Sequence, residues 1–173
     1  MTFLSLVQYT LLPFMFLWLG VCVRNDLRSR EVPVWMTVIP LAVAGLIGIV
    51  FGRWSSACLV AMLILLSDLV SFRFGFALLG TAVVVILDPT SVFLNLTIFA
   101  IWLLWDRGAM GGADAKILIT LLLVWGSAWL MVWVALAGGL QGLVAWWRKQ
   151  REIPYTVSIL LGSIGFWLAN LFL

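Results

Sequence analysis

The sequence predicts an all-α integral membrane protein, a polytopic bundle of about six to eight transmembrane helices. Three observations predict it. Of 173 residues, 65% are apolar and 10% are charged, with a mean hydropathy of +1.20, whereas a soluble domain is about 45–50% apolar and about 25% charged. The apolar residues fall in runs of roughly membrane-spanning length, separated by short charged or Gly/Pro breaks. Nine of the ten Lys and Arg residues collect in alternate breaks. A water-soluble globule is excluded, since 17 charged side chains cannot cover its surface. The net charge of +3 matters less than where the charges lie.

The first run, from about Leu4 to Val23, ends at the charged stretch Arg24–Glu31. It lacks a basic start and a small-residue cleavage site, so it is expected to be a retained helix, not a signal peptide. The second runs from about Val34 to Phe51 and the third from about Trp54 to Phe72, a tight hairpin around Gly52 and Arg53. Phe74 to Trp105 would measure about 48 Å as one helix, too long for a single crossing of a hydrocarbon core of about 30 Å. Asp88-Pro89 divides it, because proline lacks the donor a helix interior needs. Beyond the loop Asp106 to Lys116, the run Ile117 to Trp147 is again too long, and Gly126-Ser127 is its natural interruption. A second basic loop, Arg148 to Glu152, leads through Pro154 into a last span from about Thr156 to Leu173. With no repeat or low-complexity linker, residues 1–173 read as one membrane-embedded domain.

Lys and Arg favour cytoplasmic loops. With an outside N-terminus and eight crossings, Arg24, Arg28, Arg30, Arg73, Arg107, Lys116, Arg148, Lys149 and Arg151 all fall inside, and Arg53 alone falls outside. That topology puts the loops carrying Asp26 and Asp114 on the same, cytoplasmic, side.

The chemistry available is narrow. There is no histidine, the usual general base and commonest metal ligand. Cys22 and Cys58 are isolated in separate apolar runs, so neither a zinc site nor a disulfide framework is indicated. Neither a P-loop nor a GxGxxG pattern occurs, which argues against nucleotide chemistry, and neither a metal, a cofactor nor a nucleic-acid partner is expected. Seven carboxylates remain: Asp26, Glu31, Asp68, Asp88, Asp106, Asp114 and Glu152. Most have a plain reading as caps or solvated loop charges. Asp88 sits at a turn, Asp106 is expected to pair with Arg107, and Glu31 and Glu152 lie in basic clusters. Asp68 lies inside a span, where an ionised carboxylate costs about 2.5–3.5 kcal/mol on insertion scales. It is expected to pair with Arg73, or else to line a substrate cavity.

Asp114 stands in Gly108-Ala109-Met110-Gly111-Gly112-Ala113-Asp114-Ala115-Lys116, where small residues let another chain approach closely and a helix N-terminus favours the anion. Asp26 stands in Asp26-Leu27-Arg28-Ser29-Arg30-Glu31-Val32-Pro33, an aspartate at a helix end, a basic run, then a proline opening the next helix. Two carboxylates brought together can share a proton, one acting as base toward water while the other protonates the carbonyl oxygen or the leaving amine. No histidine, metal or cofactor is needed.

These blocks resemble the type IV prepilin peptidases, a family of intramembrane aspartic proteases. Asp26 to Pro33 looks like the family's Asp, basic run and Ile/Val-Pro. Gly111-Gly112-Ala113-Asp114-Ala115-Lys116-Ile117-Leu118 looks like its GxGD motif followed by Lys and aliphatics, with Ala113 in place of the second glycine. Ile153-Pro154-Tyr155 followed by Gly162 looks like its Ile-Pro-Phe/Tyr block. The resemblance implies that Asp26 and Asp114 are the catalytic pair, with Gly111, Gly112, Ala113 and Lys116 forming the active-site loop and Pro33 and Pro154 in structural or substrate-facing positions. It implies a multi-pass protein of the cell membrane with its site near the cytoplasmic face. The substrate it implies is a type IV pilin-like precursor with a basic leader and a hydrophobic helix. Asp26 and Asp114 are 88 residues apart, longer than the family usually shows, and an extra short hairpin near Asp88-Pro89 would account for it. The paired CxxC loop of the N-methylating members is missing here, which implies a short, peptidase-only form.

The competing reading is a small transporter or channel in which Asp68 and Asp114 bind a cation or relay protons. The presenilin-like proteases, which also use GxGD, are disfavoured because no Tyr-Asp pair or Pro-Ala-Leu block occurs. A non-enzymatic assembly subunit is the remaining alternative.

Overall fold

The computed structural model describes residues 3–67, 73–149 and 154–172. Its described secondary structure is helical: α1 (Phe3–Ser29), α2 (Val34–Val50), α3 (Trp54–Ser67), α4 (Arg73–Leu87), a 3₁₀ turn (Pro89–Ser91), α5 (Val92–Asp106), α6 (Gly112–Trp125), α7 (Leu130–Trp147) and α8 (Tyr155–Phe172). No strand occurs among the described residues. The protein is an all-α membrane helix fold. Four of its spans, Thr10–Ser29, Pro89–Asp106, Leu130–Trp147 and Tyr155–Phe172, are long and apolar enough to cross a bilayer. The remaining apolar helices are shorter, and α3 with 14 residues measures about 21 Å. Both long apolar runs break where Asp88-Pro89 and Gly126-Ser127 stand.

Two boundaries differ from expectation. α1 continues six residues past Val23 to Ser29, because charge ends an apolar run but does not stop a helix whose carbonyls still find donors. The loop expected over Asp106 to Lys116 is short, since α6 already begins at Gly112.

The helices form two compact units, Thr37–Ala128 and Met1–Met36 with Trp129–Leu173. In the first, α3 is the hub, packing against α4, α5 and α6. Ser56 Oγ donates to Asn95 Oδ1 at 2.6 Å, and Trp102 Nε1 donates to the Leu63 carbonyl at 3.0 Å, all four residues being buried. Both contacts advance by two helical turns on each helix, so α3 and α5 run parallel. The returning α4 joins them at its ends: Ser55 on α3 donates to Asp88 at 2.5 Å, and Arg73 pairs with Asp106 at 2.9 Å. The expected pairing of Asp106 with its neighbour Arg107 does not form; instead the α4–α5 hairpin brings Arg73 to it, and Arg107 lies over the Phe74 ring. The expected Asp68–Arg73 contact falls on Asp68, outside the described residues. α6 is buried all round from Ile117 to Val124, as a helix apolar on every face should be.

In the other unit α8 packs between α1 and α7. α7 and α8 form an antiparallel pair, with Gly162 against Val134 and Gly138 against Ser158. This close approach relies on small residues, as interfaces in membranes commonly do. A Cβ at Gly162 would lie 2.5 Å from the Val134 Cα. Phe16 of α1 meets Trp167 edge-on, 6.1 Å between ring centroids.

Candidate functional site

Asp26 occupies the last turn of α1, where its carbonyl accepts from Arg30 N–H. Its half-buried carboxylate accepts a hydrogen bond from Thr156 Oγ1 at 2.6 Å, from the first turn of α8. One face of α1 is held to the start of α2: Trp18 Nε1 donates to the Met36 carbonyl at 2.8 Å, and Asn25 Nδ2 donates to Met36 Sδ at 3.2 Å. Pro33 immediately precedes α2, while Pro154 precedes α8 and accepts from Gln141 Nε2 at 3.2 Å. Ser158 Oγ also donates to Gln141. Gln141 thus ties the second half of α7 to the segment that positions Thr156.

Arg30 and Lys149 close α1 and α7 in left-handed conformations, φ 57° and 54°. Both are cations at helix C-termini, where the macrodipole favours positive charge. Asp26 therefore lies at the basic end of its unit, alongside Arg24, Arg28 and Arg30.

Asp114 lies in the first turn of α6, half-buried. Gly111 precedes the helix at φ −63°, ψ 140°, while Gly112 and Ala113 are already helical. None of the three needs the left-handed region, so alanine at 113 sits without strain. The glycines serve close approach: a Cβ at 111 would lie 3.1 Å from Asp114 Oδ2, and one at 112 would lie 2.9 Å from Trp105 Nε1. The Lys116 ammonium stands over the Trp105 ring, 5.3 Å from its centroid. The Arg73–Asp106 ion pair and Arg107 over Phe74 share this end of the unit. Asp114, too, lies at the basic end of its own unit.

At the opposite end of that unit, Ser55 and Thr90 donate to Asp88, and these hydroxyls hold its carboxyl down at about 2. Arg53, the one basic residue at that end among the described residues, donates through Nη1 to the Leu123 and Val124 carbonyls at 2.8 Å each. Burial lowers its pKa below the usual guanidinium value. Cys22 is buried and Cys58 exposed, both as free thiols. Among the described residues no group of three or more potential ligands could hold a metal ion.

Models of known protein families, curated proteins and solved structures were all compared with the chain, and none matches.

Each aspartate has its own setting: Asp26 with Thr156, and Asp114 with Gly111, Gly112, Trp105 and Lys116 in its surroundings. Neither Thr156 nor Trp105 stands out in the sequence as a site residue. Thr156 directly follows the Ile-Pro-Tyr block, which is a usable signal. Trp105 reads in the sequence as one more apolar residue of a span.

Proposed function

We propose that the chain is an intramembrane aspartic endopeptidase of the prepilin peptidase type, with Asp26 and Asp114 as its dyad. The observation that carries this reading is that each aspartate stands at the basic end of its unit, the end that the positive-inside rule assigns to the cytoplasm. Each also stands in a polar setting at a helix end: a threonine hydroxyl at Asp26, and a helix N-terminus at Asp114 that favours the anion.

One carboxylate, ionised, takes a proton from water as the water oxygen bonds to the scissile carbonyl carbon. The other, protonated, donates to the carbonyl oxygen. Return of a proton to the amide nitrogen then breaks the C–N bond and releases the new amine. The substrate is a precursor with a basic leader and a hydrophobic helix, cut at the cytoplasmic face of the cell membrane, without methyl transfer.

The test is cleavage of a co-expressed prepilin-like precursor in membranes. Asp26→Asn and Asp114→Asn are each expected to abolish it, while Asp68→Asn and Asp88→Asn retain most of it. Normal cleavage by Asp26→Asn would overturn the dyad. An indispensable Asp68 with a dispensable Asp26 would point instead to cation or proton transport.

A further inference from the structure

An apolar groove of about 500 Å³ runs between α2 and α3 in the unit Thr37–Ala128. Along α2 it extends from Val38 to Ile49, eleven residue rises, or about 16 Å. That is half of a hydrocarbon core of about 30 Å, the depth of one leaflet. One acyl chain laid along the groove would match that depth.

Its walls are aliphatic, and Val38, Leu46 and Ile49 remain exposed along it. Polarity enters at one end, where Trp105 and Lys116 complete the lining. This is the basic end of the unit, near Arg73 and Arg107. A tryptophan beside a lysine suits the boundary between hydrocarbon and headgroups, and the lysine offers its charge to an anion there.

We propose that this groove is a binding site for an anionic phospholipid, with one acyl chain lying between α2 and α3 and the phosphate on the Lys116 ammonium. The chain methyl end reaches toward Ile49 and the exposed Cys58, both of which line the groove. Its length, its aliphatic walls and the sign of the charge at its mouth agree on this occupant. The site does not depend on the proteolytic reading.

The full chain, purified in detergent, is titrated with phosphatidylglycerol and with phosphatidylcholine, and retained lipid is counted by native mass spectrometry. Wild type is expected to retain one phosphatidylglycerol in preference to phosphatidylcholine. A basic contact near the headgroups contributes about 1 kcal/mol, so Lys116→Gln should lower that preference about fivefold, and Lys116→Arg should keep it. Ala61→Phe, an exposed position lining the groove, should block retention. Bound lipid should also slow maleimide labelling of Cys58. Equal retention of the two lipids by wild type would overturn the proposal, as would unchanged preference in Lys116→Gln or unchanged retention in Ala61→Phe. Cross-linking from Cys58 to a second copy of the chain in place of lipid protection would assign the groove to a protein contact and overturn it as well.

Discussion

Arg53 reaches across to Leu123 and donates to its carbonyl at 2.8 Å, while the same nitrogen also serves Val124. The last carbonyls of a helix have no partner within it, and a cation there also meets the negative end of the macrodipole. The guanidinium therefore caps α6. This accounts for Arg53 being the single basic residue on the wrong side of the charge pattern: it is committed to a helix end.

Arg53→Ala should destabilise the protein by about 2 kcal/mol, the scale of hydrogen bonds to a charged group. Gly126, the next residue but one after Val124, closes α6 at φ 65°, and a Cβ there would overlap the Arg53 guanidinium. Gly126→Ala should cost at least about 1–2 kcal/mol from the left-handed backbone alone. In Arg53→Ala/Gly126→Ala the overlap disappears, so the two losses should sum to less than additive. Thermal unfolding in detergent measures all three.

At the α7–α8 crossing, Gly162→Ala would place its methyl against the Val134 backbone, which cannot rotate away. The helices must separate, at a cost of about 1–3 kcal/mol, typical of overpacking. Gly138→Ala meets only Ser158 Oγ at 3.7 Å and Cβ at 3.8 Å, ordinary contacts. It should unfold at nearly the wild-type temperature, and equal losses for the two variants would contradict the close crossing.

Asp88 gives a pH-dependent contribution whose sign is fixed. Its carboxyl sits at about 2 in the folded protein, below its ordinary 3.8, because Ser55 and Thr90 donate to the anion. A depressed folded value contributes stability that is present above about 4 and is lost as pH falls toward about 2. Unfolding midpoints across that interval should fall less steeply in Asp88→Asn and Ser55→Ala than in wild type.

Thr156→Val removes the hydroxyl that donates to Asp26. If Asp26 acts in cleavage as proposed, the loss of one orienting hydrogen bond should slow cleavage about tenfold. Thr156→Ser should keep most of the rate, and the amount of folded protein should stay constant across the series. An unchanged rate in Thr156→Val would mean that this hydroxyl does not orient Asp26.

Much of the architecture is legible in the chain because it rests on local causes. Asp88-Pro89 and Gly126 break the long runs through backbone chemistry that acts within a residue or two, and they do so in the structure. The length of α1 is not legible: Arg24 to Ser29 interrupt hydropathy without interrupting the helix. Of the glycines before Asp114, Gly108 turns the chain at φ 70°, whereas Gly111 and Gly112 are needed for room beside the aspartate itself and Trp105, a requirement that only the packing shows.

By itself the sequence determined an all-α membrane protein, the helix breaks and the small set of carboxylates left for chemistry, because hydropathy, proline and charge act locally. Tertiary structure decided which distant groups meet: Thr156 with Asp26 across 130 residues, Arg53 with the end of α6, and Arg73 rather than Arg107 with Asp106. Such contacts join helix ends far apart in the chain. Local periodicity is silent about them, since it says which face of a helix is apolar and never which neighbour that face or its end will find.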